Sequence, residues 1–116
     1  MALTSEGTIV LAAGATSLGQ GLPTTLAQVC AEVLQVSPAD ITVHLGDTRR
    51  MPHGVGSSAS RSAVMAGSAV HGASTRLREQ IVALAAARFE ASPADITLED
   101  GAAFVRGVPD RRCSLA

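Results

Sequence analysis

A glycine-rich stretch at residues 14–21 carries the first candidate for binding chemistry. Gly19, Gln20 and Gly21 lie between a predicted strand and a predicted helix, where unpaired backbone N–H groups and the positive end of the helix dipole receive anionic or oxo ligands. The spacing is not that of a dinucleotide fold, because Thr24 stands where G-x-G-x-x-G needs its third glycine. A tight strand-to-helix turn without a ligand explains the same glycines.

A second loop of small and hydroxylated residues spans residues 54–62 and leads directly into a long predicted helix. Its backbone amides, its serine hydroxyls and the guanidinium of Arg61 could converge on a phosphate or a similar group. The alternative is structural, with Ser60 capping the helix and Arg61 in solvent. Two such loops in one small chain favour a binding site more than either loop does alone.

The other reactive side chains form no catalytic or metal-binding pattern. The histidines, His44, His53 and His71, lack the short spacings of zinc sites, so the sequence predicts no metal ligands and no catalytic residues. Asp47 is expected to bond the backbone of its own loop. Cys30 is expected in the core and Cys113 in the tail, without a disulfide framework. No G-x-S-x-G motif supports a hydrolase.

The apolar pattern predicts the elements that hold the first loop. Residues 7–13 form a short apolar run with β-branched residues, which predicts a strand buried on both faces. A helix of about four turns follows. Its predicted apolar face comprises Leu22, Leu26, Val29, Val33 and Val36. Residues 37–40, Ser-Pro-Ala-Asp, stop that helix, and the alternation over residues 41–45 predicts a half-buried strand.

The remainder predicts a long loop at residues 46–60 and then one long helix, or two abutting helices, over residues 61–90. The first half of this helix is rich in Ala, Gly and Ser, so another backbone or a ligand can approach it closely. Residues 92–97 repeat residues 37–42 letter for letter and predict the same helix-to-strand connection. A β-hairpin turning at Glu99-Asp100-Gly101 and ended by Gly107-Val108-Pro109 completes the α+β order.

Composition limits the function classes. The chain has 116 residues, 47% of them hydrophobic, and its mean hydropathy is +0.29, so one packed globular domain is expected. Aromatic residues make up 2% and the net charge is −1, which disfavours base stacking and basic surfaces for nucleic acid or membrane. No membrane span or signal peptide is predicted, and a cytoplasmic location is the expectation.

An ordered set of these motifs resembles the molybdopterin-binding large subunit of the xanthine dehydrogenase and aldehyde oxidase family. The set comprises Gly19-Gln20-Gly21 with Thr24 and Thr25, Ala27-Gln28, Ala31-Glu32, the Ser-Pro-Ala-Asp-Ile stop, Gly46-Asp47-Thr48, and Ser60-Arg61-Ser62 opening a small-residue helix. The resemblance covers residues 7 to about 115. It implies that both loops face the molybdenum cofactor, whose expected contacts are Gly19, Gln20, Gly21, Gly56, Ser57, Ser58, Ala59, Ser60 and Arg61. Gln20 would hydrogen-bond the oxo or dithiolene side of the cofactor.

The chemistry implied by the resemblance is hydroxylation of an aldehyde or N-heterocycle, with electrons passing to [2Fe–2S] clusters and FAD on partner subunits or domains. The pterin nucleotide is left open, with the cytosine dinucleotide as one form. The Gly-Glu motif that carries the base in such enzymes is absent here, and neither Asp47 nor Glu99 inherits that role.

The sequence is therefore interpreted as a single partial molybdopterin-binding domain over residues 1–116, an internal fragment truncated at both ends and inactive alone. A chain without its packing partners is expected to expose the strand at residues 7–13 and the small-residue helix face. The alternatives are a noncatalytic assembly module that keeps the fold without the cofactor, and an anion-binding domain unrelated to molybdenum.

Overall fold

A computed structural model describes residues 1–116, apart from the side chain of Pro109. Two helices and several short strands make the predicted α+β fold. The strands are β1 Ala2–Leu3, β2 Ile9–Ala13, β3 Ile41–Leu45, β4 Ile96–Glu99, β5 Ala102–Val105 and β6 Val108–Ser114. The helices are α1 Leu22–Leu34 and α2 Ser62–Phe89, and short 3₁₀ turns at Pro38–Asp40 and Pro93–Asp95 precede β3 and β4.

The first sheet has the order β1-β2-β3 and determines where the two candidate loops start. β2 and β3 are parallel, with Ile9 opposite Ile41 and Ala13 opposite Leu45, and α1 is the crossover between them. Their carboxyl ends therefore lie at one edge of the sheet, and both glycine-rich loops leave from that edge. β1, which the sequence did not predict, pairs with β2 in the antiparallel sense.

Burial in β2 differs from the expectation of a strand buried on both faces. Ile9 and Leu11 are buried, whereas Val10 and Ala12 are half-buried, so only one face of the strand is fully covered. The expectation that the whole strand is exposed is therefore wrong. On the small-residue half of α2 the expectation holds in part, because Val64 and Met65 are more than half exposed while Val70 is buried.

Helix α1 packs along α2 with a face rotated from the predicted one. Besides Leu22 and Leu26, the buried residues of α1 are Ala27, Cys30, Ala31 and Leu34, while Val29 and Val33 are half-buried. Val36 lies beyond the helix because Gln35 adopts a left-handed conformation and ends it. Arg78 of α2 donates to the Val33 carbonyl at 3.1 Å and so satisfies one free group of the last turn.

Helix α2 is one continuous helix of 28 residues. Its small residues Gly67 and Ser74 are buried, and α1 packs along this helix. A Cβ added to Gly67 would nevertheless meet no atom within 4 Å. Cys30 is fully buried at this contact, as expected. Burial raises the pKa of the Cys30 thiol, and hydrogen bonding to Ser74 acts in the opposite direction.

The second sheet confirms the predicted hairpin and adds a strand. β4 and β5 are antiparallel around Asp100 and Gly101, both in the left-handed conformation that a tight hairpin turn requires. The predicted hairpin ends at Val105, just before residues 107–109, as expected, but the sequence missed β6, which starts at Val108, turns back and pairs with β5. Its polar run Asp110-Arg111-Arg112 is typical of an edge strand and hid it from the hydrophobic pattern.

The repeated Ser-Pro-Ala-Asp segments have the same local structure. Ser37 and Ser92 each accept a hydrogen bond from the backbone two residues on, at 3.2 Å to Ala39 N and 3.3 Å to Ala94 N. Each serine thereby caps a 3₁₀ turn that leads into a strand. The letter-for-letter repeat is therefore a shared connection, as predicted.

Leu26→Ala should lower the free energy of unfolding by about 2–5 kcal/mol, because it leaves a cavity at a fully buried position of α1. Leu84→Ala on α2 is the matched control: this leucine is 73% exposed, and a change within about 0.5 kcal/mol is expected. Urea denaturation of the 116-residue protein measures both. Equal losses would contradict the packing described here.

Candidate functional site

Both long helices begin without a side-chain cap. Gly21 is the N-cap of α1 and adopts a φ of 76°, and Arg61 is the N-cap of α2. Neither helix start receives a side-chain hydrogen bond, in contrast to the serine-capped 3₁₀ turns. The alternative that Ser60 caps α2 is therefore wrong, although Arg61 is exposed as that alternative proposed. The first N–H groups of both helices remain available to a ligand.

The loop before α2 has an unusual backbone. Gly56, Ala59 and Ser60 have φ values of 64°, 51° and 54°, so three of its residues are left-handed. Among the described residues, the amides of residues 56–60 donate no hydrogen bond to the protein. Successive unpaired amides in such conformations form concave anion sites.

The two candidate loops line one cleft of about 420 Å³. The first loop and the start of α1 contribute Leu18, Gln20, Leu22 and Thr25. The second loop and the start of α2 contribute Ser57, Ser58, Ala59, Ser60, Ser62 and Ala63. Two sets of residues that lie far apart in the chain thus face each other, with both uncapped helix starts at the cleft.

Gln20 closes the first loop on itself. Its Oε1 accepts from Leu18 N at 2.6 Å, and its Nε2 donates to the Thr16 carbonyl at 3.4 Å. A glutamine amide has two N–H donors, so one of them remains for a ligand in the cleft. A side chain added at Gly19 or Gly21 would meet no atom within 4 Å, so both glycines are required for their positive φ rather than for close packing.

The second loop is fastened to the first by direct backbone contact. A Cβ added to Gly14, at the end of β2, would lie 2.2 Å from the His53 carbonyl oxygen. A Cβ added to Gly54 would lie 2.5 Å from the Gly14 carbonyl oxygen. Only glycine allows this approach at both positions. Nearby, the Ser57 hydroxyl donates to the Thr16 carbonyl at 2.8 Å and joins the loops a second time.

Two of the predicted contacts lie on the other side of this loop. Gly56 and Arg61 line a separate, mostly apolar cavity of about 330 Å³ between β2 and the small-residue half of α2. Gln20 and residues 57–60 line the cleft, with Gly19 and Gly21 on either side of Gln20. The second loop therefore separates Gly56 and Arg61 from the other predicted cofactor contacts.

Sequence reasoning missed three residues that build the site. Gly14 and Gly54 allow the backbones of the two loops to cross. The Thr16 carbonyl accepts hydrogen bonds from Gln20 of the first loop and from Ser57 of the second. The glycine immediately after an apolar strand was a usable signal for Gly14. Nothing in the sequence paired it with Gly54, because the two are distant along the chain.

The long loop begins with a small charged cluster. Arg49 N donates to Asp47 Oδ1 at 3.0 Å, and the side chains of Arg49 and Arg50 approach the two carboxylate oxygens at 3.4 Å. Asp47 thus bonds its own loop, as predicted, instead of facing the cleft. Over the part of the chain that the structure describes, no group of three or more His, Cys, Asp and Glu side chains could hold a metal ion.

Comparisons with known proteins show the family to which this chain belongs. The family model described as "Molybdopterin cofactor-binding domain" matches residues 1–116. The chain is 43% identical to the nicotine 6-hydroxylase large subunit of Paenarthrobacter nicotinovorans over 97% of its length, and 31% identical to the carbon monoxide dehydrogenase large chain of Afipia carboxidovorans over 90%. The chain therefore belongs to the molybdopterin cofactor-binding domain family of these large subunits.

A solved structure has the same fold. Quinoline 2-oxidoreductase from Pseudomonas putida superposes with a TM-score of 0.85 at 35% identity, over 97% of this chain and 14% of that one. The chain likewise spans 14% of the length of the nicotine 6-hydroxylase large subunit and 13% of the carbon monoxide dehydrogenase large chain. Neither helix in the described part of the chain combines the length and the hydropathy that a membrane span requires.

The residues of the cleft fit a molybdopterin group. Molybdopterin carries a phosphate and a polar ring system, which need amide and hydroxyl donors and a close approach to the backbone. The unpaired amides of residues 57–60, the two uncapped helix starts and the spare N–H of Gln20 provide such donors.

Gly54→Ala should displace residues 54–60, because the new methyl group would overlap the Gly14 carbonyl. We expect a stability loss of about 1–3 kcal/mol from this overpacking, measured by urea denaturation. Gly72→Ala is the matched control, since a Cβ there meets nothing within 4 Å and alanine favours the helix. An unchanged free energy of unfolding in Gly54→Ala would contradict the proposed fastening.

Proposed function

We propose that this chain is one segment of the large subunit of a molybdenum-cofactor-dependent oxidoreductase, and that its cleft holds molybdopterin. The single observation that carries the proposal is the convergence of the Gly-Gln-Gly loop and the serine loop on one cleft. In the proposal, the contacts from the cleft are Gly19, Gln20, Gly21 and residues 57–60, and Gly56 and Arg61 contact the cofactor from the neighbouring cavity. When bound, the cofactor supplies the oxidation of an aldehyde or N-heterocyclic carbon.

The chain's own residues bind and orient the cofactor in this proposal. The amides of residues 57–60 and the first N–H groups of α2 donate to its anionic and oxo groups, aided by the positive end of the helix. Gln20 donates its spare N–H from the opposite wall while Oε1 stays on Leu18 N. Because these donors are held by the fold, little ordering is needed when the cofactor binds.

The rest of the enzyme lies outside this chain in the proposal. Since the chain spans 14% of the nicotine 6-hydroxylase large subunit, residues 1–116 are proposed to be part of a larger cofactor-binding domain, inactive alone and without the catalytic glutamate. Iron–sulfur and FAD subunits are proposed as its partners. The names of the relatives, which are large subunits or, in one case, the gamma subunit of a dehydrogenase complex, support the presence of further subunits. A cytosine dinucleotide form of the pterin is also proposed.

Gln20→Ala should weaken cofactor retention by about 1–3 kcal/mol, because a hydrogen-bonding partner in the cleft is lost. Gln20→Glu is the informative companion: it keeps the acceptor for Leu18 N but removes the donor and adds a negative charge. Both variants should therefore lose pterin, measured as pterin per purified subunit. Wild-type retention in both variants would contradict the proposed role of Gln20 as a cofactor contact, whereas a wild-type subunit that carries no pterin would favour a noncatalytic assembly module.

The native polypeptide that carries Gly19-Gln20-Gly21 should have a mass several times the 11.7 kDa of this chain. Immunocapture from the source cell followed by intact mass spectrometry measures it. A native product of 11.7 kDa would contradict the proposal that the chain is a segment of a larger subunit.

A further inference from the structure

The hydroxyl of Ser57 is used within the protein. It donates its only proton to the Thr16 carbonyl at 2.8 Å and accepts from the Ser62 hydroxyl at 3.0 Å. A serine hydroxyl has one donor and two acceptor positions, so a single acceptor position is left. Ser57 is also half-buried, whereas Ser58 and Ser60 are exposed.

These bonds connect three parts of the cleft. Thr16 belongs to the first loop, Ser57 to the second, and Ser62 is the first residue of α2. The same Thr16 carbonyl accepts from Gln20 Nε2, so the bond from Ser57 meets the first loop where Gln20 closes it. The chain Ser62–Ser57–Thr16 therefore sets the distance between the Gly-Gln-Gly loop and the helix start that faces it.

The neighbouring serines differ from Ser57. Within the described part of the chain, the hydroxyls of Ser58 and Ser60 form no hydrogen bond, although both residues line the cleft. Their donors are free for a ligand, and the donor of Ser57 is not. One serine run thus contains two kinds of residue.

We infer that Ser57 is a positioning residue that locks the two loops together before the cofactor binds, whereas Ser58 and Ser60 contact the cofactor. The inference rests on the proposed function, since it assigns roles around a molybdopterin cleft. It changes the role expected for Ser57, which was predicted to contact the cofactor with the rest of the loop. Losing the lock should loosen the first loop even when no cofactor is present.

The test compares Ser57→Ala with Ser58→Ala in the assembled enzyme, prepared with molybdopterin and without it. Ser57→Ala should accelerate amide hydrogen exchange at Leu18, whose N–H is bonded to Gln20 Oε1 in the first loop, in the cofactor-free enzyme. It should also speed pterin release by roughly 3- to 10-fold. Ser58→Ala should speed release but leave the exchange of the cofactor-free enzyme unchanged. Ser57→Thr, which retains the hydroxyl, should restore both values.

A double-mutant cycle distinguishes positioning from a general loss of stability. Ser62→Ala should speed pterin release in the wild type and add nothing in the Ser57→Ala background, because Ser62 acts through Ser57. Unchanged exchange in Ser57→Ala, or additive effects of Ser57→Ala and Ser62→Ala, would overturn the inference. A wild-type enzyme without pterin would instead overturn the proposed function, and the exchange of the cofactor-free enzyme would still decide whether Ser57 joins the loops.

Discussion

The candidate site depends on a backbone contact between Gly14 and Gly54. Because β2 and β3 are parallel, both loops start at the same edge of the sheet. This pairing alone would still let the longer loop extend into solvent. Because neither glycine has a Cβ, the backbone of residues 53–54 lies against the end of β2. That contact directs residues 57–60 toward Gln20. The close packing of Gly14 against Gly54 thereby shapes the cleft in which the cofactor is proposed to bind.

Unsatisfied polar groups at this cleft are the second physical theme. Ser37 and Ser92 show that this chain caps a helical turn with a serine where no ligand is involved. At α1 and α2 the cap positions are occupied by Gly21 and Arg61, and no side chain bonds the first amides. Such donors are stabilised by water or by a ligand, and an anionic group gains further from the helix dipole. Unpaired donors at two helix starts are expected in a member of the molybdopterin cofactor-binding domain family.

The apolar cavity behind the serine loop gives the chain a second, different surface. Met65 lines it and is more than half exposed, and its neighbour in the chain, Val64, is exposed as well, so apolar surface extends from the cavity onto α2. This chain spans 14% of the length of the nicotine 6-hydroxylase large subunit, so most of the residues that pack together in that subunit have no counterpart in this chain. The exposed apolar face is consistent with the proposal that further parts of a large subunit pack here.

The sequence alone determined the order of elements, the Ser-Pro-Ala-Asp connections and the membership of both loops in one family pattern, because these depend on local conformational preferences and short spacings. It misplaced the buried face of α1, since Cys30 and Ala31 are buried by α2 and not by their hydrophobicity alone. It missed β6, whose polar residues are tolerated only because the strand lies at an edge. Only the tertiary structure decided that Gln20 and Ser57 face one cleft while Arg61 lies outside it, because that depends on the distant backbone contact of Gly14 with Gly54.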